Sequence, residues 1–367
     1  MRILPRILVI AIAATAALSA PPTHADSRAT SLPLDTAAID QAIGRLMVEQ
    51  NIPGAAIAIV HKGELRYAKG YGKANLEHDI AATADSVFAI ASVSKPLIAL
   101  GVAKLVEQGK LAWNDPIQKH LPGTPDTWRA VTLAHLANHT SGIVRESPAF
   151  EGDKIKSDFE VVAAAYPVPL AFPTGTKMQY CNVCYFALAE IITRTAGEPW
   201  QRFMDREVFQ AAGAKDTRPT SVRDLVPRRA ASYEWKDGKH HNVREYVALR
   251  PSGAFLSTVN DLARIEAALT AGKLVKPDSL KLAETPARLN DGTVGKMNPN
   301  SAGYGLGWEL FDAEGKRRVA HGGTLAGFRT MWARYPDQGW AVIILTNGTS
   351  ARPSTLEAAV VKLLPNP

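Results

Sequence analysis

The sequence has few cysteines, only a small excess of positive over negative charge, and none of several common catalytic motifs. Only two of its 367 residues are cysteine, which excludes a scaffold stapled by many disulfides. Lys and Arg number 42 against 35 Asp and Glu, and no basic run occurs, so we expect no surface for nucleic acid. A G-x-S-x-G elbow, a phosphate-binding P-loop and an H-E-x-x-H zinc motif are missing, which argues against three large enzyme classes.

The remaining composition is that of an ordinary globular protein. Hydrophobic residues make up 46% of the chain and charged residues 21%, so the sequence is of neither the disordered nor the fibrous type. Its length is sufficient to bury a sizeable core in one large domain or two ordinary ones.

The amino-terminal residues have the pattern of a cleaved secretory signal. Arg2 and Arg6 precede an apolar run over 7–18, and small residues follow up to a favoured cleavage site after Ala25. Cleavage there removes two arginines and no acid, so the formal net charge falls from +7 to +5. The apolar run is short beside the ~20 residues of a membrane span, although an uncleaved anchor is the alternative. We therefore predict a signal peptide over 1–25, a periplasmic or secreted product and no stable membrane insertion after cleavage.

Segments with the pattern of strands lie near both ends of the chain. Two apolar runs around a turn at Gly63 predict a β-hairpin over 54–71, after a helix over 36–50. Near the other end, tight turns separate a second group of apolar runs, and a closing helix is expected over 354–364. The four strands predicted in this second group cover 305–311, 317–321, 327–335 and 340–346.

The middle of the chain is mainly helical in pattern. Strands at both ends and helices between them predict an α/β (α+β) fold in which an antiparallel sheet, built from both termini and flanked by helices, carries an inserted helical domain. The predicted boundaries are 26–95 plus 291–367 for the sheet domain and 96–290 for the helical domain. The clearest helical segments within the latter cover 97–108, 182–196, 200–212 and 258–271.

Ser92 and Lys95 form an S-x-x-K pair at the start of a predicted helix. Residues three apart share one face of a helix, so the amine of Lys95 can reach the hydroxyl of Ser92. A nucleophile beside a base is the arrangement that covalent catalysis requires. The alternative is a serine that caps the helix, followed by a solvated lysine.

Two further short motifs follow in the chain. Tyr180 and Asn182 form its only Y-x-N, on a loop before a predicted helix; a tyrosine there can move a proton and an asparagine can hold a substrate amide. His321 begins the sequence His-Gly-Gly-Thr at a predicted strand end, where two glycines, Gly322 and Gly323, let a ligand approach the backbone and Thr324 follows. The alternatives are a half-buried tyrosine, a capping asparagine and an ordinary glycine turn.

The two cysteines, Cys181 and Cys184, are spaced C-x-x-C around the asparagine of that second motif. No further Cys or His pair stands nearby to complete a zinc site, and the thioredoxin-like context of a redox motif is absent. Two packed thiols or one tight local disulfide are the readings left.

In this order, the three motifs resemble those of the serine β-lactamase and penicillin-binding protein superfamily, most of all the branch of class C β-lactamases, D-Ala-D-Ala carboxypeptidases and related esterases. The similarity extends over nearly the whole mature chain. It implies a β-lactamase/transpeptidase-like fold. The segments that resemble the family cover 88–95, 111–117, 136–143, 251–262 and 303–308.

The resemblance implies an acyl-enzyme mechanism that needs no metal and no organic cofactor. Ser92 would attack a carbonyl, and Lys95 and Tyr180 would share the general-base and proton-return roles. Asn182 would orient the substrate. The oxyanion hole would be formed by the backbone N–H groups of Ser92 and Thr324, with His321 and Gly323 beside the substrate. The partner expected is a small-molecule or peptide substrate.

The sequence departs from the family pattern at two positions. His321 stands where β-lactamases carry the lysine of K-T-G, so the fixed charge that holds a substrate carboxylate is missing; a neutral imidazole can still donate one hydrogen bond. We therefore predict weak or no β-lactam hydrolysis, and small esters, amides or D-amino-acid peptides as substrates. A D-Ala-D-Ala carboxypeptidase or class C β-lactamase is one alternative, and a non-catalytic binder of cell-wall peptide is another. Cys181 replaces a small residue, and a disulfide there could strain the site.

Overall fold

Hairpins from opposite ends of the chain build the main sheet of the computed structural model, which describes residues 33–219, 223–248, 250–253, 255–313 and 315–365. The sheet has eight antiparallel strands in the order β3-β2-β1-β13-β12-β11-β10-β9. These strands are β1 (Gly54–His61), β2 (Glu64–Asn75), β3 (Ile80–Ala81), β9 (Gly303–Tyr304), β10 (Glu309–Ala313), β11 (Lys316–Leu325), β12 (Phe328–Tyr335) and β13 (Trp340–Thr346).

The two ends of the chain meet where β1 pairs with β13, from Ala55 opposite Thr346 to His61 opposite Trp340. Successive side chains of a strand point to opposite faces of a sheet. Both strands are apolar at nearly every position because both of their faces are buried. Ile57 and Ile344 pack on the face shared with the first and last helices, whereas Ala58 and Ile343 face the larger core on the other side. The predicted antiparallel sheet from both termini is confirmed.

The helices lie on both faces of this sheet and fill the middle of the chain. Those expected over 36–50, 97–108, 182–196, 258–271 and 354–364 are all present within a few residues. The observed helices are α1 (Thr36–Glu49), α2 (Ser94–Glu107), α3 (Leu133–Ala137), α4 (Asp158–Ala163), α5 (Val183–Ala196), α6 (Trp200–Met204), α7 (Val259–Thr270), α8 (Pro277–Ala283) and α9 (Pro353–Val361).

The structure corrects two of the predicted elements. The strand expected over 305–311 begins only at Glu309, because Gly307 has a φ of +87° and turns the chain between β9 and β10. The helix expected over 200–212 divides into α6 and a π-helical turn over Asp205–Gln210. Short strands outside the main sheet were not predicted. Strands β4 (Phe88–Ala89), β5 (Arg218–Pro219) and β8 (Phe255–Ser257) form a second sheet, and β6 (Tyr233–Lys236) pairs with β7 (Lys239–Asn242).

The described residues from Leu34 onward form one compact unit. Within them, the main sheet takes its strands from 54–81 and 303–346. The division into a sheet domain and a helical domain stays a prediction. The predicted signal over 1–25 lies outside the described residues. Among the helices that are described, none has the length and apolar character needed to cross a membrane.

Candidate active site

Ser92 lies in a single 3₁₀ turn, Ala91–Val93, directly before α2. Ala91 adopts a φ of +50°, which is unusual for a residue other than glycine. The hydroxyl of Ser94 donates to the carbonyl oxygen of Ala91 at 2.7 Å and accepts from the backbone N–H of Phe255 at 3.2 Å, which ties the turn to β8. The turn therefore holds Ser92, half-buried, on the wall of a cleft.

Lys95 lies one turn further along and is completely buried. Its Nζ lies 2.8 Å from Oδ1 of Asn182, 2.8 Å from the carbonyl oxygen of Ser252 and 3.3 Å from Oγ of Ser92. Burial lowers the pKa of Lys95 well below its usual range; Arg250 acts in the same direction, and Glu146 acts against it. The alternative reading of a solvated lysine is excluded by this burial.

Tyr180 precedes α5 and brings its ring to 4.6 Å from the Nζ of Lys95. Burial raises the pKa of Tyr180 above its ordinary value, and a hydrogen bond with Ser92 acts in the opposite direction. The phenol is therefore neutral at pH 7. Ser92 thus has both the amine and the phenol as neighbours.

Asn182 occupies the cap position of α5 but makes no side-chain capping bond. Its Oδ1 accepts from Lys95, and its Nδ2 donates to Oε1 of Glu146. The other carboxylate oxygen of Glu146 accepts from Nη2 of Arg250 at 2.9 Å. Because a carboxylate only accepts, Glu146 fixes which end of the Asn182 amide faces Lys95.

The third motif lies on β11, along the wall of the cleft opposite Tyr180. Strand β10 pairs with β11 only as far as Ala320, and Gly322 and Thr324 line the cleft beyond that point. A Cβ at Gly323 would lie 2.5 Å from the carbonyl oxygen of Ile90 and would clash with Thr330. Gly323 therefore permits β11 to approach the serine turn, whereas Gly322 is the glycine that faces the cleft.

His321 is buried and both of its ring nitrogens are engaged within the protein. Nδ1 lies 2.7 Å from the carbonyl oxygen of Gly322, so this nitrogen carries the proton and donates it there. Nε2 lies 3.0 Å from the hydroxyl of Tyr304, which therefore donates to it. Burial and the neighbouring Lys95 lower the pKa of His321 to about 3. The one hydrogen bond that a neutral His321 can donate was expected to go to the substrate, but in the structure it goes to the carbonyl oxygen of Gly322.

Cys181 and Cys184 form a disulfide across the first turn of α5, with their Cα atoms 5.4 Å apart. Both residues are fully buried. Of the readings left by the sequence, the structure has the tight local disulfide. It joins the residue between Tyr180 and Asn182 to the helix that follows. Among the described residues, no group of three or more His, Cys, Asp or Glu side chains could hold a metal ion.

Five of the seven predicted site residues line a cleft of about 740 Å³, and several others that were not predicted join them. The other two do not line it: Lys95 is completely buried beside Ser92, and Gly323 lies against the serine turn. Arg145 and Glu146 lie within three residues of the end of the family-like segment 136–143, and Ser252 lies within 251–262. For these three residues the sequence therefore held a signal of the site. Tyr246, which lines the cleft from the loop before β8, carried none. The lining residues that the motifs did not identify include Arg145, Glu146, Met178, Tyr246, Arg250, Ser252, Met297 and Glu309.

Comparison with known proteins places these features in a family. Residues 39–364 match the family model described as Beta-lactamase. The chain is 30% identical over 307 residues to penicillin-binding protein 4* of Bacillus subtilis (strain 168), covering 78% of this chain and 66% of that protein's length.

Two solved structures share the fold. The octameric penicillin-binding protein homologue from Pyrococcus abyssi superposes with a TM-score of 0.78 at 24% identity, covering 90% of this chain and 78% of that one. The D-amino acid amidase from Ochrobactrum anthropi SV3 superposes with a TM-score of 0.75 at 22% identity, covering 89% and 98%. The resemblance inferred from the motifs and the predicted fold class are both confirmed.

Proposed function

The chain belongs to the Beta-lactamase family of serine hydrolases, and from that premise we propose that it acts through an acyl-Ser92 intermediate on small esters, amides or D-amino-acid peptides. The observation that carries this proposal is the arrangement of Ser92 between a buried amine and a neutral phenol. A serine needs an adjacent base to act as a nucleophile at neutral pH.

Lys95 serves as the base in this mechanism. As a neutral amine it donates its two protons to Oδ1 of Asn182 and to the carbonyl oxygen of Ser252, both at 2.8 Å. Its lone pair is then left for the hydroxyl of Ser92, 3.3 Å away. As Oγ attacks the substrate carbonyl, Lys95 takes the proton of the Ser92 hydroxyl. As the bond to the leaving alcohol or amine breaks, Tyr180 gives that group its phenolic proton and regains one from Lys95. General-base catalysis of this kind contributes ~10²–10⁴ in rate.

When Ser92 attacks, the carbonyl oxygen of the substrate becomes negatively charged and needs hydrogen-bond donors to stabilise it. The backbone N–H groups of Ser92 and Thr324 are the proposed oxyanion hole, because β11 lies against the serine turn beside Gly323. One such donor is worth ~10²–10³ in kcat. Water then hydrolyses the acyl-enzyme by the reverse proton path.

The choice of substrates follows from the charge missing at the third motif. A neutral His321 with both nitrogens engaged offers no cation to a carboxylate on the leaving-group side. Esters and amides with neutral leaving groups therefore suit the cleft better than β-lactams or terminal D-Ala peptides. The shared fold of a D-amino acid amidase supports the amide side of this proposal.

The D-Ala-D-Ala carboxypeptidase alternative has one observation in its favour. Arg145 lines the cleft with its guanidinium 5.2 Å from the Tyr180 ring, and no acidic side chain of the described chain pairs with it. A substrate carboxylate could reach that cation. The name of the Bacillus relative, a penicillin-binding protein, points the same way.

Labelling with a fluorophosphonate tests the proposal. We expect one labelled serine in the wild-type protein, and loss of both the label and esterase activity in Ser92→Ala. Ser354→Ala is the matched control, because Ser354 is an exposed serine of α9 that does not line the cleft. An unlabelled wild-type protein that still binds cell-wall peptide would establish the non-catalytic alternative instead.

A substrate panel separates the enzyme classes. We expect turnover of p-nitrophenyl acetate and of D-amino-acid amides, with little turnover of nitrocefin. Nitrocefin turnover comparable to ester turnover contradicts the role given to His321. Covalent labelling by fluorescent penicillin with release of D-Ala from peptides establishes the carboxypeptidase.

We also propose that residues 1–25 are removed on export, which rests on the sequence pattern alone. The mass of the protein recovered from the periplasm or medium tests this. We expect a chain that begins at Asp26, and an intact Met1 on the recovered protein contradicts it.

A further inference from the structure

His139 is a buried residue to which the proposed mechanism gives no task. It follows α3, within the family-like segment 136–143, and is completely enclosed. Its φ of +65° lies in the left-handed region, which a residue with a ring on Cβ seldom adopts. Conformations of this kind persist only where surrounding contacts enforce them, and they cluster at functional sites.

His139 holds the backbone on both sides of Tyr180. Its carbonyl oxygen accepts from the N–H of Gln179 at 2.9 Å. Its ring Nδ1 accepts from the N–H of Cys181 at 3.1 Å. A single residue thus bonds to both neighbours of Tyr180 and fixes where the tyrosine leaves the backbone.

The imidazole also packs against the tyrosine ring itself. Ring centroids are 4.4 Å apart for His139 and Tyr180, 4.8 Å for His139 and Tyr304, and 5.5 Å for His139 and Tyr185. Tyr304 in turn donates to His321 of the third motif. His139 therefore contacts the second motif directly and the third motif through one tyrosine.

The ring must be neutral to make these contacts. A proton on Nδ1 would remove the acceptor for Cys181, so the single proton resides on Nε2, which has no hydrogen-bond partner within the described chain. The charged or titratable groups around the ring are Lys95, Arg145 and His321, besides the tyrosines. Burial, reinforced by Lys95, lowers the pKa of His139 well below its ordinary value.

We propose that His139 is a positioning residue that holds the Tyr180 phenol in line with Ser92 and Lys95. This rests on the proposed function for its effect on turnover, but the placement of Tyr180 is a property of the structure alone. Nδ1 of His139 fixes the backbone next to Tyr180 by accepting from Cys181, and the face of the imidazole fixes the position of the Tyr180 ring by packing against it.

Two substitutions separate these contributions. His139→Asn keeps an acceptor near the place of Nδ1 and tolerates the left-handed backbone, but it loses the ring. His139→Phe keeps a ring and loses the acceptor. The matched control is His135→Asn, because Nδ1 of His135 also accepts a backbone N–H, that of Thr132, without contacting Tyr180.

We expect kcat to fall by ~10²-fold in His139→Phe and by about 10-fold in His139→Asn, since small displacements of a reacting group have effects of this size. KM should change by less than about 3-fold, and His135→Asn should keep the wild-type kcat. If thermal unfolding shows that His139→Phe does not fold, His139→Ala replaces it. A wild-type kcat in any folded variant that lacks the acceptor overturns the proposal.

Crystal structures of wild type and of the folded variants give a readout that is independent of turnover. We expect the Tyr180 ring to be displaced in the variant without the acceptor and close to its wild-type place in His139→Asn. An unmoved ring in both overturns the proposal. A wild-type protein that no fluorophosphonate labels refutes the proposed function, and the structures still decide the role of His139.

Discussion

The amine of Lys95 must lose its proton to act as a base, and single residues around it control that step. Burial is the largest cause of its lowered pKa, and Arg250 is the next. Arg250 also binds Glu146, a carboxylate that favours the protonated amine. The balance among these charges sets the pH at which the enzyme becomes active.

Replacing Arg250 by Met should shift that pH upward. Loss of a positive charge favours the protonated amine, so the pKa of Lys95 rises and the acid limb of kcat/KM moves up by about 1 pH unit. The measurement is the pH profile of ester hydrolysis, with exposed Arg45→Met as the control. An unmoved limb means that Arg250 does not control the titration of Lys95.

His321 should make folding stability depend on pH. Its pKa is about 3 in the folded protein against 6.5 for an ordinary histidine, so below pH 6.5 the unfolded chain binds the extra proton. Stability is then present above pH 6.5 and is lost as the pH falls toward 3, by about 2 kcal/mol between pH 7 and 5. Urea denaturation at these two pH values should show a smaller loss for His321→Gln than for wild type. Equal losses contradict the buried neutral state of His321.

At the scale of elements, the site depends on how closely strand β11 approaches the serine turn. The hydroxyl of Thr330 on β12 donates to the carbonyl oxygen of Ile90 at 2.8 Å, and Gly323 lies against the same oxygen. The distance between the two proposed oxyanion donors follows from this contact.

A methyl group at Gly323 should separate the two elements. Gly323→Ala places Cβ 2.5 Å from the Ile90 oxygen, so we expect a loss of about 1–3 kcal/mol in unfolding free energy and ~10²-fold in kcat. Gly322→Ala has its nearest neighbour at 3.6 Å and should unfold like wild type. Chemical denaturation and steady-state kinetics test this, and wild-type stability of Gly323→Ala contradicts the close approach.

The sequence predicts a helix or strand correctly where a local pattern of residues is enough to determine it. The hairpin of β1 and β2 follows from a turn at Gly63, whose φ is +81°, between two apolar runs. Strand β10 was placed four residues early because three glycines, at 303, 305 and 307, each have backbone contacts or a φ that only the packed structure reveals. The short strands β4, β5 and β8 escape prediction because each pairs with a strand distant in the chain. Strands β6 and β7 form a local hairpin around Asp237 and Gly238, but they have few apolar residues.

At the scale of the whole molecule, a buried ionic cluster joins the sheet to the helices outside the cleft. Arg334 on β12 donates to Glu266 of α7 at 2.8 Å and to Glu284, directly after α8. The indole of Trp332 donates to Glu266 at 3.0 Å. All three charged residues are nearly inaccessible to water, so each needs its partners.

Removing the central cation should destabilise the protein without changing the site. Arg334→Leu leaves the buried Glu266 without a cation and Glu284 with only its longer pair to Arg317 at 3.5 Å, so we expect the unfolding free energy to fall by about 3–5 kcal/mol. Arg194→Leu, which breaks an exposed pair with Glu190, should cost at most about 1 kcal/mol. Denaturant unfolding measures both, and kcat of the folded fraction should be unchanged. A small effect of Arg334→Leu contradicts the structural role of the cluster.

The sequence by itself determined what depends on neighbours along the chain. Ser92 and Lys95 lie three residues apart at the start of a helix, and the helical period alone brings their side chains together. The order of the three motifs identified the family, and the match over 39–364 agrees.

Only the tertiary structure decided the properties that depend on desolvation and on distant partners. Three of these properties depend on contacts between residues far apart in the chain. Lys95 is buried against Asn182, Glu146 orients the amide of Asn182, and Tyr304 occupies Nε2 of His321. The pKa of a group and the strength of its hydrogen bonds cannot be read from its neighbours in sequence, because both depend on how much water the packed elements exclude. For that reason the motifs identified the residues of the site, whereas tertiary packing determined the protonation state of each.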